Sequence, residues 1–409
     1  MEKNDLKDGK KFFQKGLGLK REVQDILKKE YFSDVVTYFR LNDNVLRHGN
    51  ITIQLAKELG FCYGVDRAVD YAYQTRKKFP EKRIFLTGEI IHNPHVNKRL
   101  IDMGVKFLSG QYSNGETHAS LNADDVVVLP AFGVSIQEFD ILKNSGAILV
   151  DTTCGSVLNV WKRVIYYARN GYTSIIHGKR NHEETIATSS QALKYPGGKY
   201  LIVRNMDEIE RVCDYIVSSG SAANFLSYFG KSVSPGFEPD RDLQKIGVAN
   251  QTTMLSGESL AIAERLQVAL REKYGNEKLE FHFQTFDTIC SATQDRQDAV
   301  MEIVHNHKLD LMLVVGGFNS SNTTHLADIT AKYTKTYHID DPACILENGR
   351  IRHKKNGASD IVVSDEWLPK DGFLMGLTAG ASTPNNKIGE AVEKVLLQSG
   401  IEPRAIFEN

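Results

Sequence analysis

The chain has 409 residues, 41% of them hydrophobic and 25% charged, with a formal net charge of −1, a composition that suits a globular protein of roughly two to four domains. Balanced charge without a basic stripe gives no pull toward nucleic acid, and no run approaches the roughly 20 apolar residues of a membrane span. Five widely spaced cysteines argue for reduced thiols and against a disulfide framework. The start carries Glu2, Asp5 and Asp8 and no apolar core segment, so neither a secretory signal nor an Arg-rich transit peptide fits, and the cytoplasm is the expected address. Residues 1–48 are dense in lysine and acid, with a helical rhythm at Val23, Ile26 and Leu27, which predicts an appended helical arm over about 1–50. From residue 51 onward, short apolar runs at 84–86, 125–129, 147–150, 174–176, 201–203, 246–249 and 309–315 alternate with amphipathic helical stretches. That alternation predicts a mostly parallel α/β architecture.

A threefold internal repeat is the stronger signal. Its first element is a cysteine that opens a helix: GFCYGVDRAV at Cys62, DTTCGSVLNV at Cys154 and DTICSATQDR at Cys290. Its second is a strand ending in glycine and a polar pair: Gly88 then His92-Asn93, Gly178 then His182-Glu183, Gly317 then Ser321-Asn322. The offsets from Cys62 to His92, Cys154 to His182 and Cys290 to Ser321 are 30, 28 and 31 residues. The third element is a strand running into small or hydroxylated residues: Ala131-Phe132-Gly133, Asn250-Gln251-Thr252 and Ala379-Gly380-Ala381-Ser382. The repeat divides the chain into units 51–153, 154–289 and 290–384, followed by a C-terminal helix and tail, 385–409. In parallel α/β sheets such strand ends and helix starts face one crevice, so three units about a pseudo-threefold axis bring all nine elements together.

Three convergent thiolates can bind zinc or an iron–sulfur cluster, or be inert. Structural zinc wants four ligands, usually with two of them close in sequence, and that spacing is missing, as is a ferredoxin-type run with its fourth cysteine. A 4Fe-4S cluster on three cysteines leaves one iron open to substrate, and the helix starts favour thiolates. Cys213 and Cys344 lie outside the repeat and read as buried small hydrophobes. His92, His182, Thr252, Ser320, Ser321, Asn322 and Ser382 are donors at strand ends and helix starts, where backbone N–H groups attract phosphate. Several of them are equally the residue types of ordinary helix caps. No Walker loop or dinucleotide fingerprint is present. Glu184, two residues after His182, is the carboxylate placed for proton transfer.

Taken together, GFCYGVDRAV, GEIIHNPHV, DTTCGSV, NQTTM, the Cys290 block, GGFNSSNT and TAGAST resemble the 4-hydroxy-3-methylbut-2-enyl diphosphate reductases, the IspH/LytB family. The resemblance runs from about residue 51 to 384, with every motif in family order. It implies a cloverleaf of three α/β units around one 4Fe-4S cluster per chain. It also implies reductive dehydroxylation of the allylic diphosphate to isopentenyl and dimethylallyl diphosphate, with two electrons from ferredoxin or flavodoxin and two protons. On it, Cys62, Cys154 and Cys290 match the cluster ligands and Glu184 the proton donor. His92, His182, Thr252, Ser320, Ser321, Asn322 and Ser382 match the diphosphate pocket. One position departs: Phe132 stands where many bacterial members have histidine. That, the HEET run and the long arm look like the cyanobacterial and plant branch, so a plastid stroma is the address of a trimmed plant form. A monomer or homodimer is expected. Rival readings are a metal-dependent hydrolase on His92, His182 and Glu184, and a non-catalytic iron–sulfur sensor, which needs no phosphate pocket.

Overall fold

The computed structural model describes residues 11–407 except 287 and 359. The acidic start of the arm and the aspartate of the DTIC block therefore lie outside the described residues. Two units emerge, one formed by Met1–Phe13 with Gly115–Cys290 and the other by Gln14–Asn114 with Ser291–Asn409.

In the first unit, four parallel strands lie in the order Phe283–Thr285, Ile246–Asn250, Thr173–His177, Lys199–Val203. Strands 173–177 and 246–250 are buried along their whole length, which is why their apolar residues stand side by side and do not alternate with polar ones. Gly247 is needed there because a Cβ would lie 2.4 Å from the Tyr167 ring, whose hydroxyl donates to the Val248 carbonyl at 2.9 Å. The same unit carries Val126–Leu129 parallel to Ile148–Asp151. Phe12–Phe13 adds on the outer side of Ile148–Asp151, so the described part of the arm includes a strand that the helical rhythm did not announce. The core of Ile175, Leu201, Val212, Ile246, Ile262 and Leu266 closes between this sheet and the Met206–Ser218 and Ser256–Tyr274 helices.

In the second unit the central strands Lys335–Ile339, Leu311–Val315, Phe373–Ala379 and Ile51–Leu55 are parallel. Antiparallel strands flank them, Val45–His48 on one side and Arg350–Lys354 on the other. Ile84–Leu86 pairs in parallel with Val105–Phe107. The arm supplies the Lys20–Tyr31 and Asp34–Leu41 helices. Val23 is 1% exposed but Ile26 is 45% exposed, so the buried stripe runs through Val23, Leu27 and Tyr31 at four-residue spacing and leaves Ile26 outside it. Ser33 caps the second arm helix by accepting from the Val36 N–H at 3.2 Å. Gly389 permits the close approach of the Asn385–Gln398 helix, since a Cβ would meet the Ser33 hydroxyl at 2.2 Å. Among the described residues no helix is long and apolar enough to cross a membrane.

Candidate active site

Each cysteine of the repeat stands directly before a long helix. Cys62 precedes Tyr63–Lys78 and Cys154 precedes Gly155–Arg169, and neither thiol caps its own helix. Cys290 precedes Ser291–Asn306. All three are half-buried, whereas Cys213 and Cys344 are fully buried, and no disulfide joins any of the five. Burial pushes the Cys213 thiol up to about 12 and raises that of Cys344 as well, which keeps both protonated and unfit as ligands. Three accessible thiols at positive helix ends, set apart from two inert ones, is a donor set that fits an anionic iron–sulfur cluster.

In the first unit, the strand Val126–Leu129 runs into Ala131, whose carbonyl accepts from the Cys154 N–H at 2.9 Å. The DTTC frame acquires a reason here: Asp151 Oδ1 accepts from the Thr153 N–H at 2.9 Å and from its hydroxyl at 2.5 Å, a side-chain turn that aims the chain at Cys154. Gly133 has φ 74°, and a Cβ on it would sit 2.4 Å from the Trp161 ring. The ring of Phe132 meets His182 edge-on, with centroids 5.6 Å apart, so the position that departs from the bacterial pattern packs an apolar edge against a site histidine. His182 starts the Glu183–Ala192 helix and its Nδ1 accepts from the Glu184 N–H at 3.2 Å. An accepting Nδ1 makes Nε2 the protonated nitrogen of the neutral ring. Glu184 is 1% exposed, and its two oxygens accept from the backbone N–H of Thr252 at 2.5 Å and from its hydroxyl at 3.0 Å. Thr252, expected among the phosphate donors, therefore directs its hydroxyl at Glu184. Gln251 Oε1 links the two loops, accepting from the Lys179 N–H at 3.0 Å and the Thr185 hydroxyl at 3.1 Å. Ser156 donates to the Cys290 sulfur at 3.4 Å.

In the second unit the expected residues gather on three strand ends. The Cys62 N–H donates to the Ala381 carbonyl at 3.1 Å, and the Ala381 N–H donates to Asn322 Oδ1 at 3.0 Å. Ser382 donates its hydroxyl to the His92 carbonyl at 3.1 Å. Gly317 lies so close to that carbonyl that a Cβ would be 2.5 Å away. Ser320 caps the Ser321–Thr330 helix, accepting from the Thr323 N–H at 3.3 Å, which leaves its O–H proton able to donate outward. His92, Ser320, Ser321, Asn322 and Ser382 are all buried. Asn322 is 2% exposed, and its Nδ2 has no hydrogen-bond partner in the protein. A buried amide donor left unpaired costs about 1–3 kcal/mol, and an anionic oxygen in this pocket would remove that cost.

Some functional residues escaped the sequence reading. Glu89 Oε2 lies 2.9 Å from His92 Nδ1, and its other oxygen accepts from Gln111 at 2.6 Å. Nδ1–H donates to the carboxylate, so the pair orients the imidazole and leaves the Nε2 lone pair of the neutral ring facing a ligand, as carboxylate–histidine pairs do at other sites. Its signal was the i, i+3 placement of Glu89 and His92 within GEIIHN. Ser156 and Asp151 had only their nearness to a cysteine to mark them.

The LytB protein family model matches residues 53–396 of this chain. A protein of Acaryochloris marina named 4-hydroxy-3-methylbut-2-enyl diphosphate reductase is 45% identical over 402 residues, covering 96% of this chain and 95% of its own. A protein of Microcystis aeruginosa with the same name is 47% identical over 96% of both chains. A solved structure of (E)-4-hydroxy-3-methyl-but-2-enyl diphosphate reductase is 26% identical and covers 84% of this chain and 99% of its own, with a TM-score of 0.52. A reductase structure from Plasmodium falciparum, 23% identical over 87% of this chain and 91% of its own with a TM-score of 0.61, shares the fold.

Proposed function

We propose that this chain, which belongs to the LytB protein family, reduces 4-hydroxy-3-methylbut-2-enyl diphosphate to isopentenyl and dimethylallyl diphosphate. The reaction replaces a C–O bond by a C–H bond and releases water, consuming two electrons and two protons. Cys62, Cys154 and Cys290 would hold one 4Fe-4S cluster, which supplies the electrons and an open Lewis-acidic iron. As the family resemblance implies, the electrons would come from a separate carrier, ferredoxin or flavodoxin.

The protein's own residues bind and protonate. Asn322 Nδ2, the Ser320 and Ser321 hydroxyls and the start of the Ser321–Thr330 helix offer donors to the diphosphate, helped by the helix dipole. Ser382 joins them by turning its proton from the His92 carbonyl, His182 adds an Nε2–H donor, and His92 donates from Nε2 once its ring carries a second proton. Glu184 accepts from both the N–H and the hydroxyl of Thr252, and the Glu184–Thr252 pair moves the proton that lets hydroxide leave as water. The single observation that carries this reading is the unpaired, buried Asn322 donor, set beside the Ser320 and Ser321 hydroxyls at a helix start and bonded to Ala381, whose carbonyl holds the Cys62 backbone. A sensor would have no use for it.

The test is direct. Protein purified without oxygen is expected to be brown, to carry about four irons per chain, and to turn the substrate over to both products with a chemical reductant. Stoichiometric zinc, or a colourless protein that hydrolyses the diphosphate instead, would sink the reading.

A further inference from the structure

The family model begins at residue 53, so residues 14–48 lie outside it, yet their main helix is built into the second unit. Glu30, near its end, accepts from Arg99 Nε at 2.9 Å and Nη2 at 2.5 Å, and the Tyr73 hydroxyl bonds to it as well. Burial by itself raises the Glu30 carboxyl, but the bonds from Arg99 and Tyr73 outweigh it and leave the group below its ordinary value. The next residue, Tyr31, is 7% exposed. Its hydroxyl pairs with that of Tyr73 at 2.9 Å, and its ring packs against Phe61 and His95 with centroids 5.6 and 6.1 Å away.

These four partners share a property. Phe61 immediately precedes Cys62, and Tyr73 lies on the helix that Cys62 opens. His95 and Arg99 lie on Pro94–Asp102, the helix that follows His92 and is capped by Asn93. Two adjacent arm residues thus hold both the helix behind a cysteine and the helix behind a histidine, Tyr31 near their starts through Phe61 and His95 and Glu30 further along through Tyr73 and Arg99. Beside them, the arm's Lys28, Tyr31 and Phe32 line a cavity of about 610 Å³ together with Phe61 and Cys62. Through Phe61 and His95 the arm reaches the residue before Cys62 and the first turn after His92.

We propose that Glu30 and Tyr31 are positioning residues that fix Cys62 and His92 relative to one another through Phe61, Tyr73, His95 and Arg99. The arm is then a working part of the site. This rests on the reading that Cys62 holds the cluster and His92 the substrate.

The full chain is compared with its Glu30→Gln, Tyr31→Phe and Tyr31→Ala variants and with an exchanged pair, Glu30→Arg with Arg99→Glu. Three quantities are read: KM and kcat, the rate of iron loss to a chelator, and the iodoacetamide labelling rate of Cys62 in metal-free protein, with Cys154 as internal reference. Glu30→Gln and Tyr31→Ala are expected to raise KM and to speed Cys62 labelling by about fivefold, the factor a lost hydrogen bond commonly carries. Cys154 labelling should not move, and the exchanged pair should restore most of the loss. A lower melting temperature with KM, iron retention and Cys62 labelling all unchanged would overturn the proposal and leave the arm a stabilising clip. Tyr31→Phe keeps the ring packing and removes only the hydroxyl, so it decides the matter if the alanine variant does not fold. Parent protein that binds no iron and does not turn over would defeat the functional reading, while the Cys62 labelling comparison still judges the arm.

Discussion

Glu184 meets Thr252 twice, through that residue's N–H and its hydroxyl. As found, both carboxylate oxygens accept, so before it can donate a proton the group must first take one up, and the Thr252 hydroxyl is the relay at hand. Glutamine fits the same place: its oxygen can accept from the Thr252 N–H while its amide donates to the hydroxyl oxygen. Glu184→Gln therefore keeps the geometry and removes only the transferable proton. Loss of a general acid costs roughly 10²–10⁴-fold, and a fall in kcat of about that size is expected, with iron content and substrate binding kept. Turnover within a few-fold of the parent would mean that the proton comes from elsewhere, with His182 next in line. The sequence singled out Glu184 by its place after His182 and Thr252 as a hydroxyl near it through the shared motif order, but not the paired bonds between them, which join residues 68 apart. Phe132 was legible as a departure from the bacterial pattern, and its consequence, an apolar edge on His182, required the coordinates.

Helices are where the sequence spoke most clearly. A cysteine or a capping residue just before an amphipathic run is a local signal, and the helices after Cys62, Cys154, His182, Cys290 and Ser320 all start where those signals stand. Cys213 sits inside the Met206–Ser218 helix, packed with Ile209, Val212 and Ile216, and Cys344 belongs to the core of the second unit. The contrast yields a prediction about element position. Serine at Cys62, Cys154 or Cys290 is expected to remove most of the iron and the activity. Alanine at Cys213 or Cys344 should lower the melting temperature and leave iron per chain unchanged, and loss of iron in both sets alike would show that position at a helix start does not decide ligation. The arm is the counterexample of an element read only in part. Its helices were expected, but the Phe12–Phe13 strand was not, since two residues are too few to display a period and the strand exists only because Ile148–Asp151 offers a free edge.

At the scale of the molecule, each of the two units carries an apolar core. The core of the second includes Leu313, Val314, Leu377 and Val392 and that of the first Ile175, Ile246 and Leu266. On the central strand Lys335–Ile339, His338 is 1% exposed. Its Nε2 donates to the Gly316 carbonyl at 2.8 Å, just before the Gly317 that approaches His92. Burial, more than the charges of Lys354 and His353, pushes the imidazole down to about 4. An unfolded histidine takes a proton below about 6.5, whereas the folded one resists until about 4. Acid therefore favours the unfolded state progressively through that window, and below it no further loss arises from this group. The full effect is on the order of 3 kcal/mol. Denaturant midpoints measured at pH 7 and pH 5 should fall less in His338→Gln, whose amide can still donate to Gly316. Equal falls in parent and variant would place the acid sensitivity in other groups.

The sequence by itself determined the alternation of strands and helices and the residue types at each helix start, because both follow from the spacing of neighbours along the chain. It also determined the family, through motifs that are themselves short and contiguous. Only the tertiary structure decided which polar atoms meet: Ser382 with the His92 carbonyl across 290 residues, Glu30 with Arg99 across 69, and Asn322 with Ala381 across 59. Such pairings depend on which strands lie side by side and in what register, and no local preference encodes that. The same packing leaves Asn322 Nδ2 buried with its proton undirected, because burial is a property of the assembled unit and not of the residue.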